Sequence, residues 1–120
     1  MKENKRGIGF KFAWSGIKVA FQTEKNFRIH LIIGISIILL SLILNLNQLE
    51  WFMVLIAIAL VIVAELFNSI IERLIDYLKP ETHIQAKEIK DISAGAVLIA
   101  AIFAATIGSI IFIPKLLAIL

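Results

Sequence analysis

The chain has 120 residues, of which 60% are hydrophobic and 18% charged, and its net charge is +3. Because soluble domains are about half apolar and about a quarter charged, this composition favours a membrane protein, and the length allows a single domain, residues 1–120. Cysteine is absent, which excludes disulfides, thiolate metal sites and cysteine nucleophiles.

The first predicted element is an amphipathic helix over residues 8–25. Its large apolar side chains recur at helical spacing, at Phe10, Trp14, Ile17 and Phe21. Aromatic residues with lysine neighbours at this spacing favour a surface helix that lies in the membrane interface. Most of this helix then serves as an anchor, but Glu24 stands out as the only acid between Glu3 and Glu50.

Three apolar stretches follow, and each is long enough to cross a membrane as a helix. A helix needs about 20 mostly apolar residues to cross the hydrocarbon core. The predicted transmembrane spans are therefore residues 29–46, 49–70 and 92–113. Residues 45–48, NLNQ, form the turn between the first two spans, and Pro114 and Lys115 close the third. The predicted fold is all-α, with one surface helix and three transmembrane helices.

The basic residues predict the orientation. Seven of the twelve lysines and arginines precede the first span, four lie between the second and third spans, and only Lys115 follows them. The positive-inside rule therefore places the N-terminus and the 72–91 loop in the cytoplasm. The seven N-terminal basic residues leave no uninterrupted apolar stretch for a cleavable signal peptide. Since topology explains the basic residues, we do not expect a nucleic-acid partner.

The third span carries small residues every four positions, at Ala96, Ala100, Ala104 and Gly108. Small residues at this spacing let helices approach closely in lipid. The face can pack within one chain or between chains. Because three helices enclose little space, we expect a homo-oligomer.

Glu65 is the most informative residue in the spans, because it lies inside an apolar stretch. A carboxylate in the middle of a membrane costs about 2.5–3.5 kcal/mol, and such residues are functional by default. Glu65, Asn68, Glu72 and Asp76 follow one another at intervals of 3, 4 and 4 residues, so they lie on one face of a helix, here called the polar stripe. Their oxygen atoms suit a hard ion such as Mg²⁺.

Lys90 and Asp91 stand where the third span enters the membrane, level with the polar stripe if the spans are antiparallel. A lysine there can pair with acids or hold a phosphate as a point charge. A lysine that merely extends toward the interface is an equally good interpretation. Taken alone, Glu72 and Asp76 also suit a solvated helix end, which does not explain Glu65.

Two segments carry a resemblance to a known family. Residues 64–76, AELFNSIIERLID, resemble the signature ExxNSxxExxxD of the bacterial diacylglycerol kinases, and residues 87–98, KEIKDISAGAVL, resemble that family's AKD–small–AVL segment. Residues 12–18 and 24–28 match in the same order and spacing. On these residues the chain resembles the bacterial diacylglycerol kinase/undecaprenol kinase family over nearly its whole length.

The resemblance implies a homotrimer in the bacterial plasma membrane that uses MgATP to phosphorylate a lipid hydroxyl. It implies that Glu65 is the general base and that Glu24 and Glu72 bind the metal. The other polar active-site residues would be Asn68, Lys90 and Asp91. The nucleotide-binding residues would be Phe12, Asp76, Glu81, His83 and Lys90.

The acceptor lipid follows from the branch of the family. Residues 26–30, NFRIH, resemble the Gram-positive branch, whose members are mostly undecaprenol kinases. Ile29 and His30 replace an amide and an acid of the Gram-negative diacylglycerol kinases, and Phe12 replaces a tyrosine. We therefore expect undecaprenol as the acceptor, which would yield undecaprenyl phosphate. Diacylglycerol, which would yield phosphatidic acid, is the alternative.

Two other classes of function compete with a kinase. In a non-enzymatic membrane scaffold, the acids would simply pair with Lys90 or Arg73, and neither metal nor nucleotide would matter. In an ion or proton transporter, Glu65 would relay protons. Transport is the weakest of the three hypotheses, because the polar residues gather at one face and few lie deeper in the spans.

Overall fold

A computed structural model describes residues 9–78 and 83–120 of the chain, and all regular structure in these two segments is helical. The helices are α1 (Gly9–Thr23), α2 (Lys25–Ile43), α3 (Gln48–Leu78) and α4 (Ile84–Ile119). Helices α2, α3 and α4 are long and apolar enough to cross a membrane. The prediction of an all-helical membrane protein with three spans is confirmed.

Helix α3 is the centre of the arrangement, because it packs along α4 and also contacts α2. Glu24 separates α1 from α2, and its extended backbone (φ −111°, ψ 107°) occupies the N-cap position of α2. Contacts between residues distant in sequence show that the start of α2, the end of α3 and the start of α4 meet. We call this region the polar end of the bundle.

The turn between α2 and α3 lies at the opposite end. Asn45 has a φ of 55°, a left-handed conformation that does not continue a helix, so α2 ends at Ile43 rather than at the predicted residue 46. Asn47 then caps α3: its side-chain oxygen accepts from the N–H of Glu50 at 2.8 Å, and its own N–H donates to the Glu50 carboxylate at 3.0 Å. This reciprocal capping fixes where α3 begins.

A buried apolar cluster holds the same end together. It contains Leu46 from the turn, Val54 from α3, and Ile111 and Phe112 from α4. In water, burial of such a side chain stabilises the folded state by about 1.5–3 kcal/mol. In lipid, where the surroundings are also apolar, burial contributes close packing between helices instead. The cluster closes the bundle at the end opposite to the polar end.

Pro114, which the sequence predicts to close the third span, lies inside α4. Helix α4 continues through Pro114 to Ile119. Proline lacks an N–H and so costs one helical hydrogen bond, but Lys115 ties this turn to α3 through an ion pair with Glu50 at 3.2 Å.

Gly34 sets the approach of α2 to α3. A Cβ atom at this position would lie 2.9 Å from Cγ2 of Ile58, closer than real carbon atoms approach. We expect Gly34→Ala to lower the free energy of unfolding by about 1–3 kcal/mol, because the added methyl group overpacks the contact. Unfolding in detergent at increasing denaturant measures this change. Gly95→Ala is the control, because nothing lies within 4 Å of its added methyl group, and an equal loss there would contradict the explanation.

Candidate active site at the polar end

The part of α3 near the polar end of the bundle buries three polar side chains. Glu65, Asn68 and Ser69 are 3%, 5% and 5% exposed, although all belong to a helix that is otherwise largely apolar. Burial of a polar group is costly unless it is paired, and the cost is larger for a charge. These three residues therefore form the centre of the candidate site.

Two atoms of this centre are unsatisfied. Asn68 Oδ1 and Ser69 Oγ are buried and have no hydrogen-bond partner in the part of the chain that the structure describes. Other helical hydroxyls, such as those of Ser36, Ser41 and Thr106, donate to the carbonyl oxygen four residues earlier. Buried polar atoms usually have a hydrogen-bond partner. The unpaired amide oxygen and hydroxyl beside Glu65 are therefore suited to binding a polar ligand.

His30 on α2 faces Glu65 across the helix pair. Its Nε2 lies 3.8 Å from Oε1 of Glu65, and its side chain is only partly exposed. The sequence did not predict a contact between His30 and Glu65, because thirty-five positions separate them and no local motif joins them.

Glu24 reaches the polar stripe through Arg73. The Nε atom of Arg73 donates to Oε2 of Glu24 at 3.1 Å, and its Nη2 contacts Oγ1 of Thr23. Asn68 follows Glu65 by about one helical turn along α3, and its Nδ2 donates to Oε2 of Glu72 at 3.5 Å. The acid that was isolated in sequence therefore lies beside the helix turn that carries Glu72.

Helix α4 contacts the polar stripe at Asp76, the exposed last member of the stripe. Lys90 Nζ lies 2.6 Å from Oδ1 of Asp76, so the predicted proximity of Lys90 to the stripe is present in the structure. Asp91 is turned toward its own helix, where Lys87 Nζ lies 2.6 Å from its Oδ2. The structure thus brings Lys90, but not Asp91, onto the acids of α3.

The remaining predicted residues are placed as follows. His83 is the N-cap of α4, and its Nδ1 accepts from the N–H of Gln85 at 3.2 Å. Phe12 lies on α1 and is 43% exposed. Glu81 lies outside the described residues. These positions leave the predicted nucleotide-binding roles as predictions.

The acids of the polar end have the chemistry that a Mg²⁺ ion requires. The carboxylates of Glu24 and Glu72 and the open Oδ1 of Asn68 are hard oxygen donors. Over residues 9–78 and 83–120, no group of three or more histidines and acids is arranged to hold a metal ion by itself. Mg²⁺ commonly takes one or two carboxylates and completes its shell with phosphate oxygens and water.

The described residues thus form three helices of membrane-spanning length, with a buried carboxylate, two unpaired buried polar atoms and several acids at one end. The sequence matches the model of the family described as prokaryotic diacylglycerol kinase over residues 11–112. The chain therefore belongs to the prokaryotic diacylglycerol kinase family, a family of lipid kinases, and the resemblance predicted from the sequence is confirmed.

Individual relatives carry two different substrate names. The chain is 36% identical to a diacylglycerol kinase of Synechocystis over 94% of this chain and 65% of the relative, so it spans just under two thirds of that protein. It is 34% identical to an undecaprenol kinase of Bacillus subtilis over 89% of this chain and 87% of the relative. It is also 36% identical to a diacylglycerol kinase of Helicobacter pylori, over 77% of this chain and 72% of the relative. The relatives agree on lipid phosphorylation but not on the lipid.

Proposed function

We propose that this protein is an ATP-dependent kinase that phosphorylates the hydroxyl group of a membrane lipid at the cytoplasmic face. The observation that carries the proposal is the buried Glu65 beside the open Asn68 Oδ1 and Ser69 Oγ. A lipid hydroxyl needs one group to take its proton and others to orient it, and these three side chains offer both. A scaffold explains the Arg73–Glu24 and Lys90–Asp76 ion pairs, but it gives no reason for the open buried atoms.

The reaction needs little covalent chemistry from the protein. Glu65 takes the proton from the lipid hydroxyl as its oxygen attacks the γ-phosphorus atom of ATP. The bond from that phosphorus to the bridging oxygen breaks, and ADP leaves with the bridging oxygen, so the products are ADP and a lipid phosphate. Catalysis of this kind rests on positioning and on offsetting charge.

The charged groups around Glu65 divide this task. Glu24 and Glu72 would hold Mg²⁺, which neutralises charge on the phosphate oxygens when bound. Lys90 would contact a phosphate as a point charge after leaving Asp76, and Asp91 would complete the same edge. Phe12, Asp76, Glu81 and His83 remain proposed nucleotide contacts by resemblance to the family.

We favour undecaprenol as the acceptor lipid, with diacylglycerol as the second candidate. The NFRIH segment and the 34% identity to the B. subtilis undecaprenol kinase support undecaprenol. The 36% identity to two diacylglycerol kinases supports the alternative to a similar degree. The mechanism is the same for both acceptors, because each presents a primary hydroxyl at the membrane surface.

The test is phosphorylation of undecaprenol and of diacylglycerol by the purified protein in mixed micelles with ATP. We expect Mg²⁺-dependent transfer to both lipids and faster transfer to undecaprenol. Faster transfer to diacylglycerol would keep the kinase mechanism and change the substrate. Transfer to neither lipid with Mg²⁺ present would support the scaffold instead.

The same proposal includes the assembly and its orientation. The distribution of basic residues supports a cytoplasmic N-terminus and a cytoplasmic location for residues 72–91, which comprise the end of α3, the connection and the start of α4. This orientation would give the polar end access to ATP. Helix α1 would lie along that interface as an amphipathic anchor. A homotrimer would enclose a site that a single three-helix chain leaves largely open.

A further inference from the structure

Arg73 joins the corner between α1 and α2 to helix α3. Its Nε donates to Oε2 of Glu24 at 3.1 Å, and its Nη2 contacts Oγ1 of Thr23. Thr23 is the last residue of α1, and Glu24 lies between α1 and α2. Among the described residues, Arg73 supplies the hydrogen bonds that tie this corner to α3, and we call the three side chains the arginine clamp.

The side chain of Glu24 is held by the clamp and not by its own helix. Glu24 occupies the N-cap position of α2, but its carboxylate makes no capping hydrogen bond. Glutamate has several rotatable bonds and loses much rotamer freedom when it is fixed in one position. Without Arg73, the carboxylate would therefore be free to turn away from α3.

The clamp leaves one oxygen atom of Glu24 open. Arg73 donates to Oε2 of Glu24, and Asn68 donates to Oε2 of Glu72. In the part of the chain that the structure describes, no hydrogen bond engages the Oε1 atom of either acid. Carboxylates that bind metals are commonly held in this way, because a hydrogen bond to one oxygen orients the other toward the ion.

We propose that Arg73 is a positioning residue that holds the Glu24 carboxylate in the orientation in which it binds Mg²⁺. The inference rests on the proposed kinase function, in which Glu24 and Glu72 hold the metal, and adds what orients Glu24. Arg73 acts through Glu24 and needs no contact with the lipid or the nucleotide. A guanidinium suits this task, because its planar fork reaches Glu24 and Thr23 at once, whereas a lysine offers a single point charge.

The positive charge of Arg73 has an opposing effect, because it repels a cation bound at Glu24. The Arg73 side chain is 52% exposed, so water and salt screen this repulsion. Loss of a partner that orients a metal ligand lowers metal affinity about 10–100-fold. We therefore expect orientation to outweigh repulsion, and the opposite signs of the two effects allow an experiment to separate them.

The experiment measures binding of Mn²⁺, as a probe for Mg²⁺, to the purified protein by electron paramagnetic resonance, without nucleotide and with a non-hydrolysable ATP analogue. Arg73→Lys keeps the charge but loses the fork, so we expect its dissociation constant for Mn²⁺ to rise about tenfold under both conditions. Thr23→Val removes the second partner of the clamp and should raise the constant by a smaller factor. Lys25→Gln is the control: Lys25 is an exposed base next to Glu24, and its loss should change the constant by less than about twofold.

Four results would overturn the positioning role. These are unchanged Mn²⁺ affinity of Arg73→Lys, tighter binding by Arg73→Gln than by the wild-type protein, weaker binding only with the nucleotide analogue present, and an altered oligomeric state of Arg73→Lys in light scattering. The second would make Arg73 a competitor of the metal, the third a phosphate contact, and the fourth a structural residue.

The lipid phosphorylation assay separates this inference from the kinase proposal. If the wild-type protein phosphorylates lipid and Arg73→Lys binds Mn²⁺ normally, the kinase proposal stands and the positioning role fails. If Arg73→Lys weakens Mn²⁺ binding but the wild-type protein phosphorylates no lipid, the positioning role stands and the kinase proposal fails.

Discussion

Glu65→Gln is expected to lower turnover of the acceptor lipid by about 10²–10⁴-fold, the usual contribution of a general base. Glutamine keeps the size of the side chain and can still accept a hydrogen bond, but it cannot take the proton of a hydroxyl. Glu65 is buried, so bulk water is poorly placed to take the proton in its stead. The measurement is the rate of ATP-dependent lipid phosphorylation in mixed micelles at saturating acceptor.

The matched control is Glu50→Gln on the same helix. Glu50 lies at the opposite end of α3, where it pairs with Lys115 and caps the helix, so its loss should affect stability more than turnover. Both variants should keep the helical content and oligomeric state of the wild-type protein. Activity of Glu65→Gln close to that of the wild-type protein would remove Glu65 from the catalytic machinery.

The helices could be predicted because membrane spans depend on composition and length, which one sequence displays completely. Their ends were harder to predict. Helix α2 stops at Ile43 because Asn45 turns left-handed, and α4 passes through Pro114 while an ion pair to α3 ties the next residue. Both outcomes depend on tertiary contacts or on a single backbone angle, which apolar stretches do not encode.

The polar stripe could be predicted from helical periodicity. Glu65 could be identified as a functional residue because an acid inside an apolar stretch is rare. His30 and Ser69 could not be identified in the same way. A histidine near a membrane interface and a serine in a helix are each common, and their importance depends on what faces them. The imidazole reaches Glu65 only because α2 packs against α3. The fold also buries the Ser69 hydroxyl without a hydrogen-bond partner among the described residues.

The ion pairs at the polar end constrain how the site would work. Arg73 holds Glu24, and Lys90 holds Asp76, so two acids and two bases are paired before any nucleotide arrives. The pair between Lys90 and Asp76 joins two side chains of which Asp76 is more than half exposed, and such pairs contribute little to stability. In the proposed site, a phosphate group would therefore displace Asp76 from Lys90 at small cost.

Glu72→Gln is expected to raise the Mg²⁺ concentration needed for half-maximal activity by at least about tenfold, since loss of even an outer-shell partner costs about 10–100-fold in metal affinity. The substitution removes a negative charge from the stripe but keeps an oxygen that can accept from Asn68. Binding of Mg²⁺ at Glu72 would depend on that charge, whereas the position of Asn68 would not. The measurement is turnover across a Mg²⁺ titration at fixed ATP.

The two interpretations of Glu72 give different titrations. If Glu72 binds the metal, high Mg²⁺ should restore much of the activity of Glu72→Gln. If Glu72 only orients Asn68, activity should fall by the same factor at every Mg²⁺ concentration, and the metal assignment would be wrong. Glu88→Gln is the control, because Glu88 is an exposed acid on α4 and its loss should leave the titration unchanged. The Arg73–Glu24 contact brings Glu24 to the turn of α3 that carries Glu72, so both acids would be available to the same metal ion.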